Sequence, residues 1–234
     1  MIEITNLTTQ YDANSQPALQ NVTITIQKGE KIALLGENGS GKTTLLLAIV
    51  GLLPQTAGEI KIDGIKVEKK NLKEIRRKVG IIFQNPENQL FMPTVYQDIN
   101  FGAINAHQTE EKAKEKTEEI IKYYELEKIQ NKSITDLSGG EKRTTALAGI
   151  LVMEPQYLLL DEPMTFLDAK SKRKLTNHIK QLTQGTIIAT HDLDTIKELC
   201  TKVILIKQGK IDKQITTDQL LNDHETLKQY GYEE

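Results

Sequence analysis

The sequence predicts an α/β protein with a mainly parallel central sheet, a small antiparallel β layer and an inserted helical subdomain. Short apolar runs alternate with helical patterns over most of the chain, which is typical of a parallel sheet covered by helices. The first strand patterns come before any helical pattern, and this indicates the antiparallel layer. Between about Pro86 and Met153 no convincing strand pattern occurs. We therefore expect this middle stretch to be a helical insertion into an α/β core.

Eight runs with period-2 or continuous apolar character are predicted as strands. In chain order they are Ile2–Leu7, Val22–Ile26, Lys31–Leu35, Glu59–Ile62, Val79–Phe83, Tyr157–Asp161, Thr186–Thr190 and Val203–Lys207. Helices are predicted after Gly41 and then at about Thr109–Ile129, Gly140–Met153, Lys170–Leu182 and Leu193–Leu199. The pattern divides a single domain into a core at 1–85 and 154–215, a helical subdomain at 86–153 and a short C-terminal tail at 216–234.

The composition is that of a globular protein. The 234 residues carry a formal net charge of −2, which gives no electrostatic reason to expect nucleic acid as a partner. Cys200 is the only cysteine, so no internal disulfide can form and a reducing compartment is expected. The longest apolar run, Leu45–Leu53, is far shorter than the roughly 20 residues that cross a bilayer. Residues 1–4 lack a targeting pattern. Action on a membrane would therefore require a partner.

A glycine-rich segment from Gly36 to Thr43 reads Gly-Glu-Asn-Gly-Ser-Gly-Lys-Thr, which fits a phosphate-binding loop. A predicted buried strand precedes it and an apolar helix follows it. The glycines allow backbone N–H groups to point at phosphate oxygens, and the helix N-terminus adds partial positive charge. We expect Lys42 to reach the β- and γ-phosphates and Thr43 to hold magnesium through its hydroxyl.

Two carboxylates, Asp161 and Glu162, follow the apolar run Tyr157–Leu160. An acidic pair at a strand end is common on protein surfaces, but here it supplies what the phosphate loop lacks. Asp161 would bind in the magnesium shell, and Glu162 would orient and deprotonate the attacking water. The two motifs together predict a nucleoside-triphosphate hydrolase.

Residues Leu137–Glu141 read Leu-Ser-Gly-Gly-Glu and open a predicted helix. A serine and two glycines at a helix N-terminus form an anion site. Because this run lies between the phosphate loop and the Asp161–Glu162 pair, it resembles the signature of the ATP-binding-cassette (ABC) transporter ATPases. The resemblance covers residues 1 to about 215. It implies a P-loop NTPase core whose inserted helical subdomain carries the signature and faces the transporter.

The resemblance also implies roles for single residues, in the chain order in which the family places them. Gln84 matches the Q-loop glutamine that reaches magnesium and water, His191 matches the switch histidine at the γ-phosphate, and Asp168 matches the D-loop aspartate. Tyr11 stands where family members place an aromatic ring against adenine. The implied ATP-binding residues are Tyr11, Gly36, Glu37, Asn38, Gly39, Ser40, Gly41, Lys42, Thr43 and Thr44. The implied magnesium ligands are Thr43, Gln84 and Asp161, the catalytic residues are Glu162, His191, Lys42 and Gln84, and the signature residues are Ser138, Gly139, Gly140 and Glu141.

In this family two cassettes pair head to tail, and the signature of one closes over the nucleotide of the other. We therefore expect a second ABC ATPase chain, identical or similar, and transmembrane transporter subunits as partners. The implied cofactors are ATP and Mg²⁺, and the implied location is peripheral, on the cytoplasmic face of the cell membrane. The chain departs from the usual family pattern at Met164, Phe166, Thr144 and Thr145, but no catalytic position is lost.

The segment Gln84–Phe91 indicates the type of transporter. It resembles the Q-loop of energy-coupling-factor importers, which take up cobalt, nickel or vitamins, and the residues that follow the signature agree with that group. The alternatives are another ABC importer or an exporter. Leu90, Phe91 and Met92 are apolar residues in a predicted surface loop, so either a membrane partner covers them or they fold back onto the helical subdomain.

Other functions that use the same motifs fit less well. Chromosome-maintenance ATPases insert long coiled coils between the phosphate loop and the signature, and too few residues separate Thr43 from Ser138 for such an arm. Translation factors of the family carry two cassettes in one chain, whereas this chain has one set of motifs. A scaffold that does not hydrolyse ATP is disfavoured because Glu162 and His191 are both present.

Overall fold

The computed structural model describes residues 1–12, 16–106 and 109–232, and within these residues ten strands form two sheets. The six-stranded sheet has the spatial order β10 (Lys210–Thr216), β9 (Lys202–Lys207), β3 (Lys31–Leu35), β8 (Gly185–Thr190), β7 (Tyr157–Asp161) and β6 (Val79–Ile82). All neighbours in it are parallel except β9 and β10. The four-stranded sheet is antiparallel, with the order β2 (Leu19–Ile26), β1 (Ile2–Thr9), β4 (Gln55–Ile62) and β5 (Ile65–Lys66). The predicted α/β class with a small antiparallel layer is confirmed.

The helices connect these strands and cover the larger sheet. They are α1 (Lys42–Ile49), α2 (Leu72–Lys78), α3 (Val95–Ala106), α4 (Glu110–Tyr123), α5 (Gly139–Leu151), α6 (Ala169–Gln181), α7 (Leu193–Leu199), α8 (Thr217–Asn222) and α9 (His224–Gln229). In the interval 86–153, α3 packs against both α4 and α5. The boundaries of the core, the helical subdomain and the tail stay a prediction. In the described parts of the chain, no helix is both long and apolar enough to cross a bilayer.

Each face of the larger sheet packs into its own apolar core. Successive side chains on a strand point to opposite faces, so neighbours in sequence enter different cores. On β3, Ile32 and Leu34 pack with the antiparallel sheet and α1, whereas Ala33 and Leu35 pack with the helices of the other layer. Every residue of β7 is buried. Burial on both faces explains why the central strands are continuous apolar runs.

Several elements differ from the sequence prediction. The short strand β5, the edge strand β10 and the helices α2, α3, α8 and α9 were not predicted. β10 alternates exposed Lys, Asp and Gln with half-buried residues, so its apolar signal is weak. The prediction that the helix from Thr109 reaches Ile129 is wrong, because α4 ends at Tyr123. Glu125 has a left-handed backbone conformation with a φ of 55°, which no helix can continue through.

The contact between α3 and α5 leads to a stability prediction. A Cβ added at Gly102 would lie 2.4 Å from the carbonyl oxygen of Gly149, whereas a Cβ at Gly149 would find its nearest atom at 3.8 Å, on Asp98. We expect Gly102→Ala to lower the free energy of unfolding by about 1–3 kcal/mol, because the helices must move apart. Gly149→Ala, the matched control, should raise it by up to about 1 kcal/mol, the gain from replacing a helical glycine. Urea denaturation that gave both variants the same shift would contradict the packing described.

Candidate functional site

The phosphate loop lies between β3 and α1, where backbone turns tightly at the carboxyl end of the sheet. A Cβ at Gly36 would lie 2.3 Å from the carbonyl oxygen of Ile206, and Gly41 has a φ of 110°, so both positions require glycine. The Lys42 ammonium is buried and donates to the carbonyl oxygens of Gly36 at 2.6 Å and Glu37 at 3.0 Å. Burial lowers the pKa of Lys42, and the charges of Glu162 and Asp161 oppose that shift.

Asp161 lies directly opposite the start of α1. The Thr43 hydroxyl donates to Asp161 Oδ2 at 2.8 Å. Burial raises the pKa of the Asp161 carboxyl, and the hydrogen bond from Thr43 opposes the shift. Within the described residues, Asp161 Oδ1 and Ser40 Oγ are buried without a hydrogen-bond partner. Buried polar atoms are nearly always paired in folded proteins, so two unpaired oxygens beside one loop indicate a ligand site.

Glu162 and His191 form a side-chain pair at the ends of two neighbouring parallel strands. The Glu162 N–H donates to the Ala189 carbonyl oxygen at 2.8 Å. This hydrogen bond extends the pairing of β7 with β8 by one residue beyond the end of β7. His191 Nδ1 lies 2.9 Å from Glu162 Oε1, and the Thr165 hydroxyl lies 3.3 Å from Oε2. Glu162 is 7% exposed and has a φ of 46°. Glu162 thus combines a left-handed backbone with a buried carboxylate that contacts a histidine of the neighbouring strand end.

The loop, Asp161 and Glu162 line one cavity of about 520 Å³. Its lining residues are Tyr11, Ala18, Asn38, Gly39, Gly41, Lys42, Thr43, Thr44, Gln84, Asp161 and Glu162. The Tyr11 hydroxyl lies 2.9 Å from Thr44 Oγ1, and its side chain is 55% exposed. Gly36, Glu37 and Ser40 belong to the loop itself. His191 lines a second cavity that shares Glu162 with the first. The structure thus brings the predicted nucleotide residues together from five separate segments of the chain.

Oxygen ligands suitable for magnesium meet in this cavity. Thr43 supplies a hydroxyl, Asp161 a carboxylate and Gln84 an amide oxygen, and Mg²⁺ prefers such ligands. No group of three or more His, Cys, Asp or Glu side chains that could hold a metal occurs among residues 1–12, 16–106 and 109–232. At a nucleotide site, phosphate and water oxygens complete the magnesium shell. The residues present therefore fit magnesium bound together with a nucleotide.

The signature residues form the N-terminus of α5 but do not line this cavity. The Glu141 N–H donates to Ser138 Oγ at 3.3 Å, and the Ser138 N–H donates to Glu141 Oε2 at 2.7 Å, which makes a capping box. The Ser138 N–H lowers the pKa of Glu141. The described part of the chain thus leaves Ser138, Gly139, Gly140 and Glu141 outside the lining around Lys42 and Asp161.

The signature lies against the start of the next helix. Asp168 caps α6 by accepting from the Ser171 N–H at 2.8 Å, an interaction that lowers the Asp168 pKa. A Cβ at Gly140 would lie 2.4 Å from Ser171 Oγ. Because Gly140 has no side chain, the signature can pack against Ser171, the same residue whose N–H binds Asp168. Ser171 was not singled out from the sequence, because a serine near a helix N-terminus is unremarkable by itself.

Sequence reasoning also missed Arg143. Its side chain is 3% exposed, and its Nη1 donates to the carbonyl oxygen of Phe83 at 3.0 Å. Basic residues on helices are usually solvated, so the residue type alone predicts exposure. The available signal was its position three and four residues before Ala146 and Leu147, on the apolar side of α5.

Comparisons with known proteins show the family of this chain. The family described as "ABC transporter" matches residues 19–165. The energy-coupling factor transporter ATP-binding protein EcfA of Methanocaldococcus jannaschii is 40% identical over 215 residues, which cover 90% of this chain and 77% of the relative.

Two solved structures share the fold. The first is cbiO1 from Clostridium perfringens, part of the ABC transporter complex cbiONQ, with a TM-score of 0.86 and 33% identity over 97% of this chain and 93% of that one. The second is the ATP-binding cassette MJ0796, a dimer in a post-hydrolysis state bound to ADP and Pi, with a TM-score of 0.83 and 29% identity over 93% and 99% of the two chains. The phosphate loop, the carboxylate pair and these likenesses agree, and the chain belongs to the ABC transporter family as an ATPase subunit.

Proposed function

We propose that this chain hydrolyses ATP with magnesium and thereby drives a separate transmembrane subunit of an energy-coupling-factor importer for a metal ion, such as cobalt or nickel, or for a vitamin. The observation that carries the ATPase assignment is the 2.8 Å contact between Thr43 and Asp161, in a cavity that Lys42 and Glu162 also line. The relatives named as energy-coupling-factor subunits support the transporter type.

The chain's own residues divide the work of hydrolysis. The loop N–H groups and Lys42 bind the phosphates, and the Lys42 ammonium would exchange the Gly36 and Glu37 carbonyls for phosphate oxygens. Thr43, Asp161 and Gln84 would hold magnesium, which supplies positive charge to the β- and γ-phosphate oxygens.

Glu162 orients a water and takes its proton as the oxygen attacks the γ-phosphorus. The bond to the bridging oxygen breaks, and ADP leaves with the negative charge. His191 holds the Glu162 carboxylate from the side of β8. As the family resemblance implies, we expect His191 to contact the γ-phosphate when ATP is bound.

The position of the signature supports a second chain as the partner in catalysis. Ser138 and the N-terminal N–H groups of α5 make an anion site, yet they lie outside the cavity with Lys42. In the head-to-tail arrangement, this site would meet the nucleotide held by the partner chain. Phe166, between Glu162 and Asp168, is 94% exposed, and an apolar side chain so placed would be covered by a second chain. The dimeric cassette with ADP and Pi is a precedent for such pairing.

An exposed apolar patch on the helical side supports a membrane partner. The sequence left two alternatives for the apolar residues of the Q-loop, fold-back onto the protein or contact with a partner. Leu90 is 7% exposed and folds back into the core, whereas Phe91 is 65% exposed and free to contact a partner. The Phe91 and Phe101 rings pack edge to face, with 4.9 Å between their centroids. Ile104, on the next turn of α3, is also exposed. Asp98 accepts from the Phe91 and Met92 N–H groups, each at 3.0 Å, and so fixes the loop. Such a fixed apolar patch suits a partner helix at the membrane face.

We expect the wild-type chain to release phosphate from ATP only with magnesium and to co-purify with a transmembrane subunit. Phe91→Asp should keep phosphate release near the wild-type rate but weaken co-purification by about tenfold or more, because a charge would be buried at the contact. Tyr123→Asp is the matched control, since Tyr123 is also exposed, at 55%, but ends α4 and donates its hydroxyl to Gln181 at the end of α6. Equal retention of the membrane subunit by all three proteins would contradict this docking surface, and recovery of exporter-type membrane domains would contradict the importer assignment.

A further inference from the structure

Arg143 is a buried cation in the second turn of α5, the helix that begins with the signature. A buried guanidinium carries a large desolvation penalty, whereas an apolar side chain of similar length would carry none. Burial lowers the pKa of Arg143, and the negative charges of Asp161 and Glu162 oppose the shift. The carboxylates of the nucleotide cavity thus offset only part of the desolvation of this charge. A cation retained at such a cost suggests a role beyond packing.

The hydrogen bond from Arg143 falls at the start of the Q-loop. β6 ends at Ile82, so Phe83 has left the sheet, and side chains hold both of its backbone polar groups. Arg143 Nη1 donates to the Phe83 carbonyl oxygen at 3.0 Å, while the Phe83 N–H donates to Gln89 Oε1 at 3.3 Å. Gln89 in turn reaches the Ala146 carbonyl oxygen of α5 at 3.5 Å. Phe83 is therefore tied to the signature helix rather than to a neighbouring strand.

The fixed carbonyl determines how the chain enters Gln84. The carbonyl of Phe83 and the N–H of Gln84 belong to one peptide unit, which is planar, so fixing the carbonyl fixes the direction of the bond into Gln84. Gln84 is exposed and lines the nucleotide cavity. Because few neighbouring atoms restrain the exposed Gln84 side chain, its direction depends on the backbone conformation at Gln84.

We propose that Arg143 is a positioning residue that holds Gln84 toward the nucleotide cavity and thereby links the signature helix to the chain's own ATP site. The inference rests on the proposed ATPase function and extends it. The first residues of α5 would meet the nucleotide of the second chain, and Gln84 meets the nucleotide of its own chain. Arg143 therefore connects the two sites through one side chain. Lys142 makes only the outer contact between the same segments, an ion pair of 2.6 Å with the exposed Glu87.

A double-mutant cycle on the full chain tests this role. Arg143→Met should lower kcat about 10- to 100-fold with little change in the KM for ATP, the size expected when a group at the reacting centre is displaced. Gln84→Ala should retain a measurable rate because Lys42, Asp161 and Glu162 remain. In that background Arg143→Met should have no further effect, since the group that it positions is already gone. Lys142→Met, the matched control, should keep the wild-type kcat.

The alternative role, packing alone, gives a different pattern. If the fold-losses in kcat of Gln84→Ala and Arg143→Met multiply in the double variant, the proposal is overturned. A loss of kcat in Lys142→Met equal to that in Arg143→Met would also overturn it. If Arg143→Met does not fold, as judged by circular dichroism, the cycle is repeated with Arg143→Lys, which keeps the charge but loses the planar fork; multiplicative losses there would also overturn it. A wild-type chain that releases no phosphate would instead refute the ATPase function. That outcome can be told apart from an active wild-type enzyme in which the two losses multiply.

Discussion

Replacing Glu162 with Gln is expected to slow ATP hydrolysis by about 10²-fold or more, the usual loss when a general base is removed. Gln fills the same space, and its single amide oxygen can accept from one of the two neighbours, His191 or Thr165, but it cannot take a proton from water. ATP binding should persist, because the proposed contacts of Lys42, Thr43 and Asp161 with the phosphates and magnesium do not require Glu162. With binding intact and chemistry slow, the variant should accumulate as ATP-bound dimers.

Phosphate release and light scattering at saturating ATP measure the two outcomes. Glu125→Gln is a matched control, because Glu125 is also a glutamate in a left-handed backbone conformation, with a φ of 55°, but its carboxylate pairs with Lys174 on the surface. It should hydrolyse ATP at the wild-type rate. A Glu162→Gln variant that turned over ATP normally would remove Glu162 from the mechanism. Monomers alone at saturating ATP would contradict the two-chain site.

Replacing Lys42 with Ala is expected to lower phosphate release by at least about 10²-fold, the range found when a donor to transition-state charge is removed. It should also weaken ATP binding, since the ammonium binds the phosphates in the ground state as well. The same activity should be lost when EDTA removes magnesium from the wild-type protein, because in the proposed mechanism Thr43 and Asp161 would act on the phosphates only through the metal.

A second lysine provides the control for this variant. Lys31 also donates from Nζ to two backbone carbonyls, those of Lys180 at 3.2 Å and Leu182 at 2.7 Å, but it lies outside the nucleotide cavity. Lys31→Ala removes the same kinds of hydrogen bond and should keep the wild-type rate. Normal turnover in a folded Lys42→Ala variant, measured beside this control, would refute the nucleotide assignment.

The phosphate loop and the carboxylate pair could be predicted from sequence because each is a local pattern. Gly36 and Gly41 are required by backbone geometry, and Asp161 and Glu162 follow a strand that is apolar along its whole length. Parallel strands place their carboxyl ends at one edge of a sheet, so the two motifs had to be close. β10 and α3 escaped prediction for the opposite reason. In β10 the apolar residues are only half-buried and alternate with exposed polar ones, whereas α3 buries Asp98 and Gly102 and exposes Phe101 and Ile104.

The sequence by itself determined the α/β class, the order of the motifs and the membership of the ABC transporter family. Only the tertiary structure decided which side chains meet across long separations: His191 with Glu162, Arg143 with the carbonyl before Gln84, and Gly140 with Ser171. It also decided that Leu90 is buried while Phe91 is exposed. The physical reason is that these outcomes depend on strand register and helix packing. A run of residues encodes its own backbone conformation, but it does not encode which distant segment will cover it.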